Sequence, residues 1–251
     1  MSPSLIALLS VATFGLFWVG VPRLLLQANR RRLAARCRRE RAIALTFDDG
    51  PGAALTPRVM ERLAAARVPA TFFVLGHHLR GREPVLVDLE RRGHEVGSHG
   101  HLHVHHVWSL PWAGLDDVRE GWRLLRRSLP PPRDGVRPFR PAYGKLNLLS
   151  LSWVWWRRAP IAMWTHDSQD TRVGRKCSPA EFADTVRRSG GGVVLLHDFD
   201  RGDPATADDV LARLDAVLRL REEGFRFVPV GALLDGAAPA PAVATSAGEC
   251  R

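Results

Sequence analysis

From residue 42 onward, short apolar runs of strand length alternate with stretches whose apolar positions recur at helical spacing. The runs at 43–47, 70–75, 94–97, 136–139, 161–164, 192–196 and 225–228 predict strands. The periodic stretches at 55–66, 84–92, 115–128, 146–156, 179–188 and 206–223 predict helices, with Ser178 as an N-cap and Gly93 and Gly224 as stops. Strand-helix units in such a row imply parallel pairing through right-handed crossovers. The expected fold is therefore α/β, a distorted and possibly incomplete (β/α)7-type barrel.

The chain before residue 42 has a different texture. Residues 1–22 carry no charged side chain, and 5–21 are almost continuously apolar. At the helical rise this covers about 30 Å, the thickness of a bilayer's hydrocarbon core. Neither a basic leader nor an Ala-x-Ala cleavage site is present. The expectation is an uncleaved, single-pass transmembrane helix at 1–22. Residues 23–41 hold eight arginines and one glutamate, so they account for +7 of the chain's formal +10. They read as a basic juxtamembrane segment that attracts anionic membrane lipid. The positive-inside rule then favours the cytoplasmic side for the domain at 42–235, with the exported side as the alternative. Residues 236–251, rich in Ala, Pro, Gly and Ser, read as a disordered tail. With the basic run set aside the domain is nearly charge-balanced, and no nucleic-acid signature accompanies the arginines. Cys37, Cys177 and Cys250 are too scattered for a disulfide framework or a cysteine-ligated zinc.

Polar residues capable of chemistry gather where the predicted strands end. The first strand runs into TFDDGP at 46–51, two adjacent carboxylates stopped by Gly-Pro. In parallel α/β folds the C-terminal ends of strands are where loops from several strands meet. Adjacent carboxylates repel, and a divalent cation that takes one leaves the other free as a base. The third strand leads into a segment with five histidines in eight positions, 99–106. His99 and His103 are four apart, so on a helical turn they face one side as ligands. With Asp49 they make a two-histidine, one-carboxylate set. Zinc is the first expectation for it, and cobalt, manganese, iron or nickel also fit such donors. His101, His105 and His106 read as a solvated loop. Taken singly, Arg140 reads as a surface ion pair, Asp167 and Asp170 as a polar loop, and His197 as a core histidine.

Jointly these segments are more specific. The order TFDDGP, GHEVGSHGHLH (93–103), FRPAYG (139–144), DSQDT (167–171) and LLHD (195–198) resembles the polysaccharide deacetylases, carbohydrate esterases with a NodB-homology domain. The resemblance covers roughly 41–235. It implies a divalent metal and hydrolysis of an N-acetyl or O-acetyl group on an amino-sugar-containing glycan or lipid-linked sugar. It further implies Asp48 as general base, with Asp49, His99 and His103 as metal ligands and Arg140 fixing Asp48. The Tyr143 backbone N–H would bind the oxyanion. His197 would be the general acid tuned by Asp170, and Leu195 would line the acetyl pocket. Two positions depart from the family pattern: Gly100 stands where Ser or Thr is usual, and Thr171 where Trp is usual. Two other readings keep part of this pattern, a tethered carbohydrate-binding module without turnover and a small-molecule amide or deformylating hydrolase.

Overall fold

The computed structural model describes residues 2–132, 136–172, 174 and 176–234. In chain order its elements are α1 (Pro3–Gly15), a π-helical turn (Leu16–Gly20), α2 (Val21–Glu40), β1 (Ala42–Asp48), α3 (Leu55–Ala66), β2 (Thr71–Val74), α4 (Glu83–Arg91), β3 (Glu95–Ser98), α5 (Pro111–Ser128), α6 (Leu148–Trp156), β4 (His166–Asp167), α7 (Pro179–Arg188), β5 (Gly192–His197), α8 (Pro204–Leu218), β6 (Arg226–Phe227) and α9 (Gly231–Leu234).

The sheet is parallel, in the order β3-β2-β1-β5-β4, and β1 at its centre is buried along its whole length. Single bridges from Ser98 to Phe139 and from Phe139 to Ile161 carry the ring onward from β3. The segment that starts at Ile161 becomes β4, which pairs with β5 and closes the circuit. β6 pairs with the first residues of β1, Ala42 and Ile43. The result is the expected α/β barrel, distorted where two predicted strands shrink to bridges. Prolines explain the shrinkage. Pro138, Pro141 and Pro160 lack the N–H a ladder needs, so 136–139 and 161–164 make contact only at Phe139 and Ile161.

Register decides what faces the barrel interior. Asp48 is level with Phe73 on β2 and His197 on β5, and Thr46 is level with Thr71 and Leu195. Parallel partners share a face, so Asp48, His197, Thr46 and Leu195 lie on one side at the C-terminal end of the sheet. The alternate residues Ile43, Leu45, Phe47, Phe72, Val194 and Leu196 form the outer core with α3, α4, α7 and α8. Burying each such side chain contributes about 1.5–3 kcal/mol.

The N-terminal expectation is corrected. Among the described residues no helix is long and apolar enough to cross a membrane. The apolar run is divided between α1, whose 13 residues span about 20 Å, the π-helical turn, and the first residues of α2. Nor does the basic segment 23–41 stand apart as a strip beside the domain. It forms most of α2, whose Leu26, Leu33 and Cys37 are buried in a core cluster with Ala42, Ala44, Phe73 and Val193. The arginines occupy the rest of the helix surface. Burial of the Cys37 thiol, helped by nearby Glu40, pushes its pKa up to about 12, an inert packing residue. The predicted tail at 236–251 lies outside the described residues.

Candidate active site

Alternation along a strand would send Asp48 and Asp49 to opposite faces. It fails at this point because β1 ends at Asp48 and Asp49 adopts a left-handed φ of 68°, a conformation Asp tolerates better than most residues. Both carboxylates thereby reach the same mouth: His99 Nε2 is 3.7 Å from Asp48 Oδ2 and 3.5 Å from Asp49 Oδ1. His103 Nε2 is also 3.5 Å from Asp49 Oδ1. One ligand atom from each of Asp49, His99 and His103 lies within 4.8 Å of the others, a grouping that could hold a cation.

The two imidazoles do not arrive on a helix. Residues 99–105 have no helical turn, and His103 takes a φ of 58°, so a loop brings the rings together with centroids 5.1 Å apart. The His99 Nδ1–H donates to the Arg140 carbonyl at 2.8 Å, which fixes the tautomer and leaves the Nε2 lone pair facing Asp49. Burial, with His99 alongside, lowers the His103 pKa to about 4, so its ring is neutral and able to ligate. Asp49 is held ionised: burial opposes its charge, but His99, His197, His103 and Arg201 outweigh burial and lower its pKa. Its Oδ1 is buried and has no hydrogen-bond partner. A buried, anionic, unpartnered oxygen facing two imidazole lone pairs fits a divalent cation.

Arg140 is no surface residue. It is fully buried, stacks on the Phe73 ring at 4.2 Å, and donates from Nη1 to Asp48 Oδ1 at 2.8 Å and to Thr46 Oγ1 at 2.7 Å. Its Nε donates to the Ala162 carbonyl at 2.9 Å, so the guanidinium is set by three elements. Asp48 therefore presents Oδ2 toward His99 while Oδ1 is tied down.

His197, at the end of β5, faces Asp48 across the register. Its Nδ1 lies 2.7 Å from Asp170 Oδ1, and its backbone N–H donates to Asp170 Oδ2 at 2.8 Å. Burial opposes its charge, but Asp170, then Asp48 and Asp49, raise its pKa to about 9. Leu195 is buried two residues earlier on the same face. Tyr143 sits in a short turn with φ 56°, and its ring lies 4.3 Å from that of His103.

The sequence reading missed several supports. Arg201 Nη2 is 3.3 Å from Asp49 Oδ2, and His78 Nδ1 lies 2.7 Å from the Asp49 carbonyl. Asp200 accepts from the Ala54 and Leu55 N–H groups, capping α3 from another loop and pinning the turn that follows Asp49. His106, read as part of a solvated loop, is buried against Ser150 with Nδ1 3.0 Å from its Oγ. No local pattern marks these residues, because each partner lies far off in sequence.

Gly100 is explained by Asp117 of α5. Asp117 Oδ1 accepts from the Leu102 N–H at 2.6 Å, and a Cβ at position 100 would stand 2.2 Å from Asp117 Oδ2. Gly100 has φ 90°, and Gly121 of α5 packs directly on its backbone. Lacking a hydroxyl at 100, the chain holds the loop between His99 and His103 with a carboxylate from the adjoining helix.

The chain is similar to proteins of known family. A family profile described as polysaccharide deacetylase matches residues 35–153. A peptidoglycan-N-acetylglucosamine deacetylase of Bacillus cereus is 30% identical over 198 residues, 78% of this chain and 89% of the relative. A chitooligosaccharide deacetylase of Sinorhizobium fredii is 35% identical over 186 residues, 71% and 79% of the two chains. The match to the Listeria monocytogenes deacetylase PgdA, 31% identical, covers 76% of this chain but 38% of that protein. The crystal structure of the Bc1960 peptidoglycan N-acetylglucosamine deacetylase aligns with a TM-score of 0.68 at 25% identity, over 78% of this chain and 89% of that one. The five motifs that carry the resemblance are also the five segments whose side chains meet at the mouth of the barrel, so the chain belongs to the polysaccharide deacetylase family.

Proposed function

We propose that the protein removes the acetyl group from the 2-acetamido group of an N-acetylglucosamine-containing glycan, using one divalent metal ion, zinc in the first instance. One observation carries this reading: Asp49 Oδ1 is buried without a partner 3.5 Å from both His99 and His103, beside an Asp48 carboxylate tied down by Arg140. Asp49, His99 and His103 would hold the ion, which when bound would polarise the acetamide carbonyl and acidify water.

The chain's own residues supply the rest. Arg140 holds Asp48 through Oδ1, and Asp48 Oδ2 takes the proton of the attacking water. The Tyr143 backbone N–H donates to the carbonyl oxygen as its charge develops. His197, held by Asp170 through Nδ1, gives the proton on Nε2 to the leaving sugar nitrogen. Its pKa of about 9 owes part of its rise to Asp48 and Asp49, so a cation held by Asp49, His99 and His103 would lower it toward neutrality, where proton transfer is efficient. Leu195 walls the space for the acetyl methyl. Thr171 is exposed, which leaves the groove more open on the side where the family usually has Trp.

The residues for turnover are all at the mouth, which favours an enzyme over a binding module. Acetate release from chitooligosaccharides, measured with and without a chelator, tests the reading. Release that is abolished by chelation and restored by zinc or cobalt is expected. Binding without release in the presence of either ion would sink it.

A further inference from the structure

An extended apolar surface has no part in this chemistry. α6 reads LLSLSWVWW, apolar all round, yet only one side of it is packed. Leu151 and Val154 are buried, whereas Leu149, Trp155 and Trp156 are 38%, 53% and 73% exposed. A helix of this composition in contact with water calls for a second apolar partner. The surface continues in two directions. The π-helical turn packs against α6 and brings exposed Phe14, Leu16 and Phe17 with it. Asn147, the buried N-cap of α6, donates to the His106 carbonyl, fastening the helix to the loop that carries Trp108 and Leu110 and runs into α5 at Trp112. These three are 82%, 59% and 58% exposed. That loop begins a few residues after His103.

The charge beside the apolar face that is left without an ion pair among the described residues is positive. Trp156 also lines a cleft of about 1040 Å³ between α5 and α6, together with Arg119, Arg123, Arg126, Arg127 and Arg157. The acidic side chains of that cleft are Asp116, Asp117 and Glu120; Asp116 and Glu120 pair with Arg119 and Arg123, and Asp117 is buried in the metal loop. Arg126, Arg127 and Arg157 make no ion pair among the described residues. Arg157 lies over the rings of Trp153 and Trp156 at 5.9 and 5.7 Å. Arg30, Arg31 and Arg32 follow on α2. Tryptophans backed by arginines are the composition of a surface seated at the headgroup level of an anionic bilayer. A second copy of this chain would bring the same positive charge and be repelled.

We propose that α6, the segment 108–112 and the apolar N-terminal helix form one docking surface for a bilayer containing anionic lipid. The surface ends at the loop of His103, so docking presents the barrel mouth to an amino-sugar headgroup carried by a lipid. That substrate class rests on the deacetylase reading; the docking does not.

The test uses the full chain and two kinds of vesicle, phosphatidylcholine alone and an equimolar mixture with phosphatidylglycerol. Flotation with the mixture is expected to exceed that with phosphatidylcholine. W155A/W156A should weaken partitioning by about tenfold, the effect of about 1.4 kcal/mol, and R126Q/R127Q should remove much of the preference for the anionic mixture. Both variants should melt as the parent does and release acetate from soluble chitooligosaccharide at the parent rate. W155A/W156A should be slower on an N-acetylglucosaminyl lipid in the same vesicles. Partitioning that W155A/W156A leaves unchanged would overturn the docking surface, as would sedimentation showing a dimer that the substitutions dissolve. Intact partitioning with no acetate from either substrate would sustain the docking surface and overturn the substrate it is said to present.

Discussion

Asp48 and Asp49 are neighbours to which the proposed mechanism gives separate tasks, and the separation comes from their partners. Asp48 is fixed through Oδ1 by Arg140, whereas Asp49 keeps a buried Oδ1 open toward two imidazoles. Asp49→Ala should therefore abolish both metal loading and acetate release. Asp48→Asn should keep the metal and lose about 10²–10⁴-fold in turnover, the usual worth of a general base. Metal content and acetate release measured on the same samples check this, and equal metal loss in both would show the two roles misassigned. Asp117 makes a subtler case, because it touches no ligand and acts through the loop backbone at Leu102. Asp117→Ala should weaken metal affinity by about 10–100-fold, as loss of a ligand's supporting partner does elsewhere. Asp117→Asn retains a carbonyl acceptor and should recover most of it. Competition with a chromogenic chelator reads both; identical affinities in the two variants would remove Asp117 from the metal loop's support.

At the scale of elements, what could be read in the sequence was whatever depends on local pattern. α3 and α7 stand where their periodicity put them, at Leu55–Ala66 and Pro179–Arg188, and the Ser178 cap forms a full capping box with Glu181. The residues that gather at the mouth of the barrel were legible because five motifs follow one another in a fixed order. The loop that carries His99 and His103 was mistaken for a helical turn, since a four-residue spacing does not reveal a positive φ. β4 was hidden because His166 and Asp167 are polar and their pairing is with Val194 and Leu195 far along the chain. The role of α2 was masked by its arginines, although Pro22, Leu26, Leu33 and Cys37 already traced a helical stripe beneath them. That stripe makes a testable difference. Leu33→Ala should cost about 2–5 kcal/mol of stability, the usual range for a buried leucine. Leu24→Ser, on the 63% exposed side of the same helix, should stay within about 0.5 kcal/mol. Denaturant midpoints in the absence of lipid read both, and equal costs would mean that α2 does not pack on the sheet in solution.

For the whole molecule, ionisation couples the mouth of the barrel to the stability of the fold. Two groups that follow one another in sequence, His197 and Asp198, have folded-state pKa values above their ordinary ones, for different reasons. Burial first, and then the charges of Asp49 and Asp48, drive Asp198 up to about 7 even though Thr56 Oγ1 donates to its carboxylate, whereas Asp170 and then Asp48 and Asp49 lift His197 to about 9 against burial. A group whose pKa is raised on folding contributes stability that is present below its unfolded pKa and lost as pH rises through the folded one. For Asp198 the loss runs from about pH 4 to 7, and for His197 from about 6.5 to 9. Burial lowers the pKa values of His94, His103 and His106 to about 4, so their contribution rises with pH up to about 6.5 and opposes the Asp198 loss. Above about pH 7 the His197 loss decides, and the chelated protein should become less stable from pH 7 to 9, by about 1.4 kcal/mol for each proton released per pH unit. Asp198→Asn should make the curve climb more steeply below about pH 7 and leave the rest. A divalent ion pulls the other way, because it binds the folded site formed by loops from β1 and β3 and not the unfolded chain. At a free concentration about 100 times its dissociation constant it should add about 2.7 kcal/mol. By neutralising Asp48 and Asp49 it should also shift the His197 limb to lower pH. Melting curves of the parent, Asp198→Asn and Asp49→Ala across this range, with zinc and with chelator, separate these effects. Asp49→Ala should show no zinc stabilisation at any pH. A chelated parent whose melting temperature is flat or rising from pH 7 to 9 would contradict the environment assigned to His197, and an Asp198→Asn curve that matches the parent's below pH 7 would contradict that assigned to Asp198.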